Sequence, residues 1–190
     1  MKAAKASSSL KLNLGCGGGR QEGYLNVDVR DLHNVDFVAS PRDCLRLFAG
    51  RCQEVYISHV LEHQAYPGKS RRAHDESVLG FLAVMRGLLK EGGELRVAVP
   101  DFGAIAGLYA EGKIPLYPRV LGRLCGEQDY PENTHKCMFD RVYLEQCLRE
   151  TGFVNIREWD PVALGLARDS SFDELEGVKT SLNLVAEKAT

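Results

Sequence analysis

Residues 10 to 28, LKLNLGCGGGRQEGYLNVD, constrain the chain more than any other stretch. Leu10, Leu12 and Leu14 alternate as one face of a strand does, glycines follow at 15, 17, 18 and 19, and Tyr24 to Val29 reads as a second strand carrying Asp28. Glycine suits a backbone that turns sharply, accepts positive φ and lets a ligand approach where a Cβ would collide. An acidic residue ending the next strand can accept both hydroxyl hydrogens of a ribose. Turn and acid together read as half of a nucleoside-cofactor site, with Leu14, Gly15, Cys16 and Gly17 on the turn and Asp28 and Val29 on the strand.

Two common nucleotide motifs are set aside. The dinucleotide fingerprint needs a third glycine where Arg20 stands, then a helix, with the acid about 20 residues on. Asp28 comes too soon after Gly15 for that helix to fit. No G-K-[ST] follows the glycines, which removes a Walker loop.

A chain of 190 residues suits one domain, taken here as residues 10–190 behind a short N-terminal tail, 1–9. A net charge of −2 argues against a general nucleic-acid or anionic-membrane surface. Six cysteines at 16, 44, 52, 125, 137 and 147 form no C-x-x-C pair, so they read as reduced, buried thiols of a cytoplasmic protein. The start, MKAAKASSS, has no apolar run and reads as no signal peptide. No segment reaches membrane-spanning length.

Along the chain, VDFVAS (35–40) reads as a third strand closed by Pro41, and RDCLRLFA (42–49) as a short helix with Leu45, Phe48 and Ala49 on one face. EVYIS (54–58) is a strand running into HVLEH, and AYPGKSRRAHDE (65–76) an exposed loop. Val78, Leu82, Met85 and Leu89 predict a helix, capped by Asp75 or Ser77 and left through Gly92 or Gly93. ELRVAVPDF (94–102) predicts a strand ending at Pro100, with Asp101 capping a helix through Tyr109. Residues 112–139 are the least regular and read as a substrate-facing insertion behind the cofactor half, 10–101. Asp140 caps a helix with Tyr143, Leu144, Cys147 and Leu148 on one face, and Gly152 is its exit. VNIREWD and SLNLVAEK predict a closing antiparallel hairpin.

Alternating strands and helices predict a three-layer α/β sandwich, mostly parallel, with its ligand at the carboxyl ends of the strands. Gly15 to Gly19, Asp28, Ser40 to Asp43, Ser58 to His63 and Asp101 all follow strand ends and are therefore expected on one edge.

With those pieces placed, the chain resembles a small group of class I S-adenosylmethionine-dependent methyltransferases. The likeness rests on LNLGCG with a shortened turn to LNVD, ISHVLEH, LKEGG, LRVAVPD, H-x3-FD at 135–140, GF at 152–153 and SLNLVAEK. It implies a Rossmann-like fold, S-adenosylmethionine as cofactor and S-adenosylhomocysteine as product. Cofactor contacts then fall on the turn, Asp28, Val29, Ser40, Ser58 and His59. The segment after the third strand departs from the group's pattern, and Ser40, Asp43 and Leu45 all remain adenine-side candidates. Asn13 stands where many relatives carry an acid.

The sulfonium of this cofactor repels cations, so the site is expected to be poor in Lys and Arg, with only Arg20 near the turn. HVLEH also matches H-x-x-E-H, an inverted zinc-protease pattern in which His59 and His63 would ligate and Glu62 would act as base. Pro67 and Gly68 end any helix too early for it, and no metal is expected. The acceptor side is assigned to Glu62, Asp101, Tyr130 and His135, with His135 or His63 as base, since imidazole titrates near neutrality. The chain so read is a methyltransferase acting at O or N of a small polar molecule such as a sugar or secondary metabolite. Its rivals are a cofactor-binding scaffold without turnover and an NAD(P)-dependent oxidoreductase or epimerase. The latter also needs a hydride-site pair such as Tyr-x-x-x-Lys, and none is found on this reading. Oligomeric state stays open.

Overall fold

In the first strand Leu12 and Leu14 turn to one side of the sheet and Asn13 to the other, all three buried. The computed structural model describes residues 10–68 and 74–190. The expected tail, 1–9, and residues 69–73 of the expected loop lie outside them. The strands are β1 (Leu10–Leu14), β2 (Leu25–Asp28), β3 (Phe37–Val38), β4 (Cys52–Ser58), β5 (Leu89–Pro100), β6 (Phe153–Glu158), β7 (Glu174–Leu175), β8 (Val178–Lys179) and β9 (Ser181–Lys188). The described α-helices are α1 (Pro41–Phe48), α2 (Val78–Leu88), α3 (Phe102–Ala110), α4 (Leu121–Cys125) and α5 (Arg141–Glu150).

Seven strands form one sheet in the order β3-β2-β1-β4-β5-β9-β6, and β7 and β8 make a separate ribbon. Pairing is parallel from β3 to β5, and β9 runs antiparallel to both β5 and β6. The chain leaves β1 outward through β2 and β3, then returns to β1's other flank with β4. That reversal opens a crevice above the carboxyl ends of β1 and β4, the usual ligand position in such sheets.

One face packs Leu12, Leu14, Val55, Ile57, Val97 and Leu184 against Cys44 of α1, Leu82, Met85 and Leu88 of α2, and Leu144 and Leu148 of α5. The link from β1 to β2 has no room for a helix, so the chain after β6 covers part of the other face. There Trp159 meets Tyr56, Ala98 and Val185. A cross-strand charge ladder coats that face: Lys11 and Arg96 pair with Glu54, and Arg157 pairs with Glu94 and Glu187.

Several expected boundaries move. Pro41 opens α1 at its first turn, where its missing N–H costs nothing, and does not close the strand before it. In α1 the fully buried residue is Cys44, while Ala49 is exposed. Ser77, through its hydroxyl, caps α2. Gly92, at φ +68°, lies in an irregular stretch of β5 and not at a helix exit, because α2 ends at Leu88. The closing strands are antiparallel neighbours but no hairpin, with residues 159–180 between them. Within 112–139 the chain forms α4, which packs Leu124 with Ile105 and Leu108 of α3 and Leu175 of β7.

Candidate active site

The backbone of the glycine turn is held from below: the Gly15 and Cys16 amides donate to Val27 O at 2.8 and 3.1 Å, and Gly19 N donates to Cys16 O at 2.8 Å. Gly15 has φ +70°, and a Cβ there would sit 2.5 Å from Cγ2 of Val60. Gly17, at φ +54°, donates its amide to Oδ2 of Asp28 at 2.9 Å. Oδ1 of Asp28 accepts from the backbone N and Nε of Arg30, at 2.9 and 3.1 Å. Burial pushes the Asp28 carboxyl up, but the donors of Arg30 and Gly17 outweigh it and hold it below the usual carboxylate range.

Arg30 overturns the expectation of a cation-poor site. Its guanidinium pairs with Asp28 and lies 4.9 Å from the ring centre of Tyr130. Arg20 turns to Asp36 at 2.5 Å and does not line the cleft.

The turn, Asp28 and Arg30 form one end of an open cleft of about 1370 Å³. That exceeds the roughly 300–1,000 Å³ of a typical small-molecule pocket, leaving room for a cofactor and an acceptor. Leu14, Cys16, Val29, Ser40, Ser58 and His59 also line it. The Ser40 hydroxyl is engaged in capping α1 with Asp43, whose carboxylate it meets at 2.6 Å. Asp43 and Leu45 do not line the cleft. Burial raises the Cys16 thiol to about 11, with the Asp28 charge adding to it, so it is no nucleophile at neutral pH.

The other end is built by a long-range closure. Glu62 O accepts from the amides of Lys136 at 2.8 Å and Cys137 at 3.1 Å, which fastens the chain before α5 to the single 3₁₀ turn Leu61–His63. His135 and His63 thereby meet edge to face, ring centres 4.9 Å apart. Phe139 anchors this segment in the core, stacked on Tyr143 at 5.6 Å. Nδ1 of His63 lies 3.2 Å from Thr134 O, and Nδ1 of His135 lies 3.0 Å from Arg123 O. Glu62 is 1% exposed, and neither carboxylate oxygen has a hydrogen-bond partner among the described residues. Burial pushes its carboxyl up to about 8. Burial likewise lowers His59 and His135 to about 4 and lowers His63, so all three rings are neutral at pH 7.

His63, Tyr130 and His135 line the cleft, whereas Glu62 sits behind the histidines and Asp101 is outside the lining. The Asp101 carboxylate caps α3, accepting from Ala104 N at 3.2 Å. His59 sits at φ +53° with Nε2 3.1 Å from the Ser181 hydroxyl, so His59 and His63 do not form the two-histidine pair of an H-x-x-E-H zinc site. The chain's one Tyr-x-x-x-Lys spacing, Tyr109 and Lys113, lies outside the lining, with Lys113 paired to Glu111 at 2.8 Å.

Sequence reasoning missed the wall formed by Arg168, Asp169, Ser170 and Asp173, which follows β6. Asp169 accepts from Tyr56 Oη at 2.6 Å, and Asp173 takes both arms of Arg123 at 2.6 and 2.8 Å. The signal available was RDSSFD, polar and acidic between two strands, which reads equally as a surface turn.

No family model and no curated protein matches the chain. Solved structures do match. The CurJ carbon methyltransferase is 15% identical with a TM-score of 0.56, over 100% of this chain and 50% of that one. An S-adenosylmethionine-dependent methyltransferase from Archaeoglobus fulgidus is 14% identical with a TM-score of 0.54, over 94% of this chain and 85% of that one. The Burkholderia thailandensis 1,6-didemethyltoxoflavin-N1-methyltransferase, solved with its substrate and S-adenosylhomocysteine, is 17% identical with a TM-score of 0.51, over 95% and 71%. The chain thus spans about half the length of the CurJ methyltransferase. At these identities the likeness shows the fold: a Rossmann-like α/β methyltransferase fold. No described helix is long and apolar enough to cross a membrane.

Proposed function

We propose that the protein is an S-adenosylmethionine-dependent methyltransferase acting at O or N of a small polar acceptor. The carrying observation is that the Gly17–Asp28 pair and the His63–His135 pair line one cleft. The cofactor fits the residues present. At Gly17 and Gly18 a side chain would project into nearly open space that the glycines leave free, and Asp28 Oδ2, with one protein donor, retains a lone pair for a ribose hydroxyl. Val29, Ser40, Ser58 and His59 line the same cleft, and we assign the first two to the base side and the last two to the centre of the cofactor.

When bound, S-adenosylmethionine supplies a methyl group activated by its sulfonium, and S-adenosylhomocysteine remains. The chain's own contribution is to hold the acceptor in line and handle its proton. Tyr130, His63 and His135 are assigned to the acceptor. Both imidazoles are neutral at pH 7 and held by backbone carbonyls, so the acceptor meets fixed lone pairs and not mobile cations. Methyltransferases of several acceptor types share this fold.

Isothermal titration against S-adenosylhomocysteine, NAD and NADP tests the first half, and an acceptor screen with methyl-labelled S-adenosylmethionine tests the second. Saturable binding of S-adenosylhomocysteine alone is the expected result. Preference for NAD or NADP would overturn the reading, and binding without turnover of any acceptor would favour a scaffold.

A further inference from the structure

We propose that Glu62, His63 and His135 bind one divalent transition-metal ion of zinc-like chemistry on the acceptor side of the cleft. One ligand atom from each lies within 4.8 Å of the others. Tetrahedral ligands at zinc bond lengths sit about 3.4 Å apart, so binding requires a contraction of up to about 1.4 Å.

The tautomers come from the backbone. A carbonyl oxygen can only accept, so Thr134 O and Arg123 O place the ring proton of His63 and of His135 on Nδ1. Each Nε2 is left with its lone pair, and that of His135 faces Glu62 Oε1 at 4.0 Å. Metal-ligating histidines are held in this way, donating the remote N–H to a fixed acceptor.

Glu62 supplies the independent observation. A buried carboxyl group with no donor on either oxygen among the described residues is costly, and a bound cation would satisfy it. His59 comes no closer than 3.5 Å to Oε1 and keeps its Nε2 on Ser181. Two imidazoles and one carboxylate form a donor set that suits zinc and related first-row ions and leaves coordination positions open. Glu62 lies behind and the two histidines line the cleft, so the open positions face it.

The consequence for chemistry rests on the methyl-transfer reading. An ion there would hold a hydroxyl oxygen of the acceptor in place of direct contact with the histidine lone pairs and lower its pKa, so that its proton passes to water in the open cleft, which selects an oxygen acceptor. H-x-x-E-H hid this arrangement, since the first histidine of the motif points elsewhere and the third ligand comes from residue 135.

The test uses the full chain after chelation. Isothermal titration with zinc chloride and cobalt chloride, with magnesium chloride as the weak-binding arm, is read beside the visible absorption of bound cobalt. One zinc or cobalt ion per chain is expected. Glu62→Gln and His135→Ala are each expected to weaken it by more than roughly a hundredfold, beyond what loss of an outer partner costs. S-adenosylhomocysteine binding is expected to persist in both variants, since its assigned ribose contact at Asp28 is untouched, and circular dichroism reports that they are folded. Glu62→Gln, close to isosteric, decides alone if His135→Ala fails that check. No stoichiometric zinc or cobalt in the parent chain, or binding that survives both substitutions, overturns the metal site and leaves the methyltransferase reading standing. Metal binding without S-adenosylhomocysteine binding overturns the methyltransferase reading instead.

Discussion

The Gly17 amide donates to Asp28 Oδ2 at 2.9 Å, so the turn that would receive the cofactor is tied to the carboxylate assigned to its ribose. Asp28 thus shapes the turn as well as offering a lone pair to the ligand. Arg30 completes the unit from the other oxygen and keeps the buried carboxyl ionised.

Replacing Asp28 by Ala removes both roles. A hydrogen bond to a charged acceptor contributes about 1.5–3 kcal/mol, so S-adenosylhomocysteine binding is expected to fall roughly ten- to a hundredfold. Isothermal titration reads it, with circular dichroism confirming the fold. Unchanged affinity in a folded Asp28→Ala protein would remove Asp28 from the site.

Gly15→Ala attacks the turn itself. The new Cβ would meet Val60 Cγ2 at 2.5 Å in a backbone held at φ +70°, and the left-handed conformation alone costs a non-glycine residue about 1–2 kcal/mol. Thermal melts are expected to show lost stability together with lost cofactor affinity. Val60→Ala in the same chain relieves the clash but not the backbone strain, so recovery is expected to be partial. Full recovery would place the whole effect in packing.

Asp36 gives a pH dependence with a defined sign. Donors from the Asn26 backbone, Arg20 and the Asn26 side chain lower its carboxyl from 3.8 to about 2. A depressed carboxyl stabilises the fold fully above its unfolded pKa and loses that contribution as pH falls through the folded one. The stability difference between the parent chain and Asp36→Asn, from urea midpoints, is therefore expected to be constant above pH 5 and to shrink between pH 4 and 2. A difference that grows on acidification would contradict the assignment.

What was legible in the sequence was what is local. The glycine turn, Asp28 and the amphipathic helices declare themselves within a dozen residues, and their order gives the sheet. Ser40 and Asp101 show where local reading stops, since a hydroxyl or carboxylate after a strand serves equally as a ligand or as a helix cap. In both the side chain is engaged in the cap, and Asp101 leaves the lining altogether. Arg30 hid in plain sight two residues beyond Asp28, because nothing in the sequence says that its chain folds back. The meeting of His63 with His135 depends on backbone amides of Lys136 and Cys137 reaching Glu62 O, and backbone contacts of that range leave no residue signature. The wall from Arg168 to Asp173 was missed for the same reason.

His135 is held from behind by a chain of contacts that reaches β9. Its Nδ1 proton goes to Arg123 O at 3.0 Å, and the Arg123 side chain is clamped by Asp173, which also accepts from the Thr180 hydroxyl at 2.6 Å beside β9. A tether therefore runs from the start of β9 through Asp173 and α4 to the imidazole. Arg123→Met keeps the carbonyl but releases the clamp, making Arg123 a positioning residue. With an acceptor in hand, kcat is expected to fall about tenfold, equivalent to about 1.4 kcal/mol of barrier, while acceptor KM and S-adenosylhomocysteine affinity hold. Arg123→Lys keeps one contact and is expected to recover part of the rate. Asp173→Asn combined with Arg123→Met is expected to cost little more than either alone, since both cut the same tether. Equal losses in KM and kcat, or strictly additive losses in the double variant, would show that the clamp serves general stability and leaves His135 to its backbone partner alone.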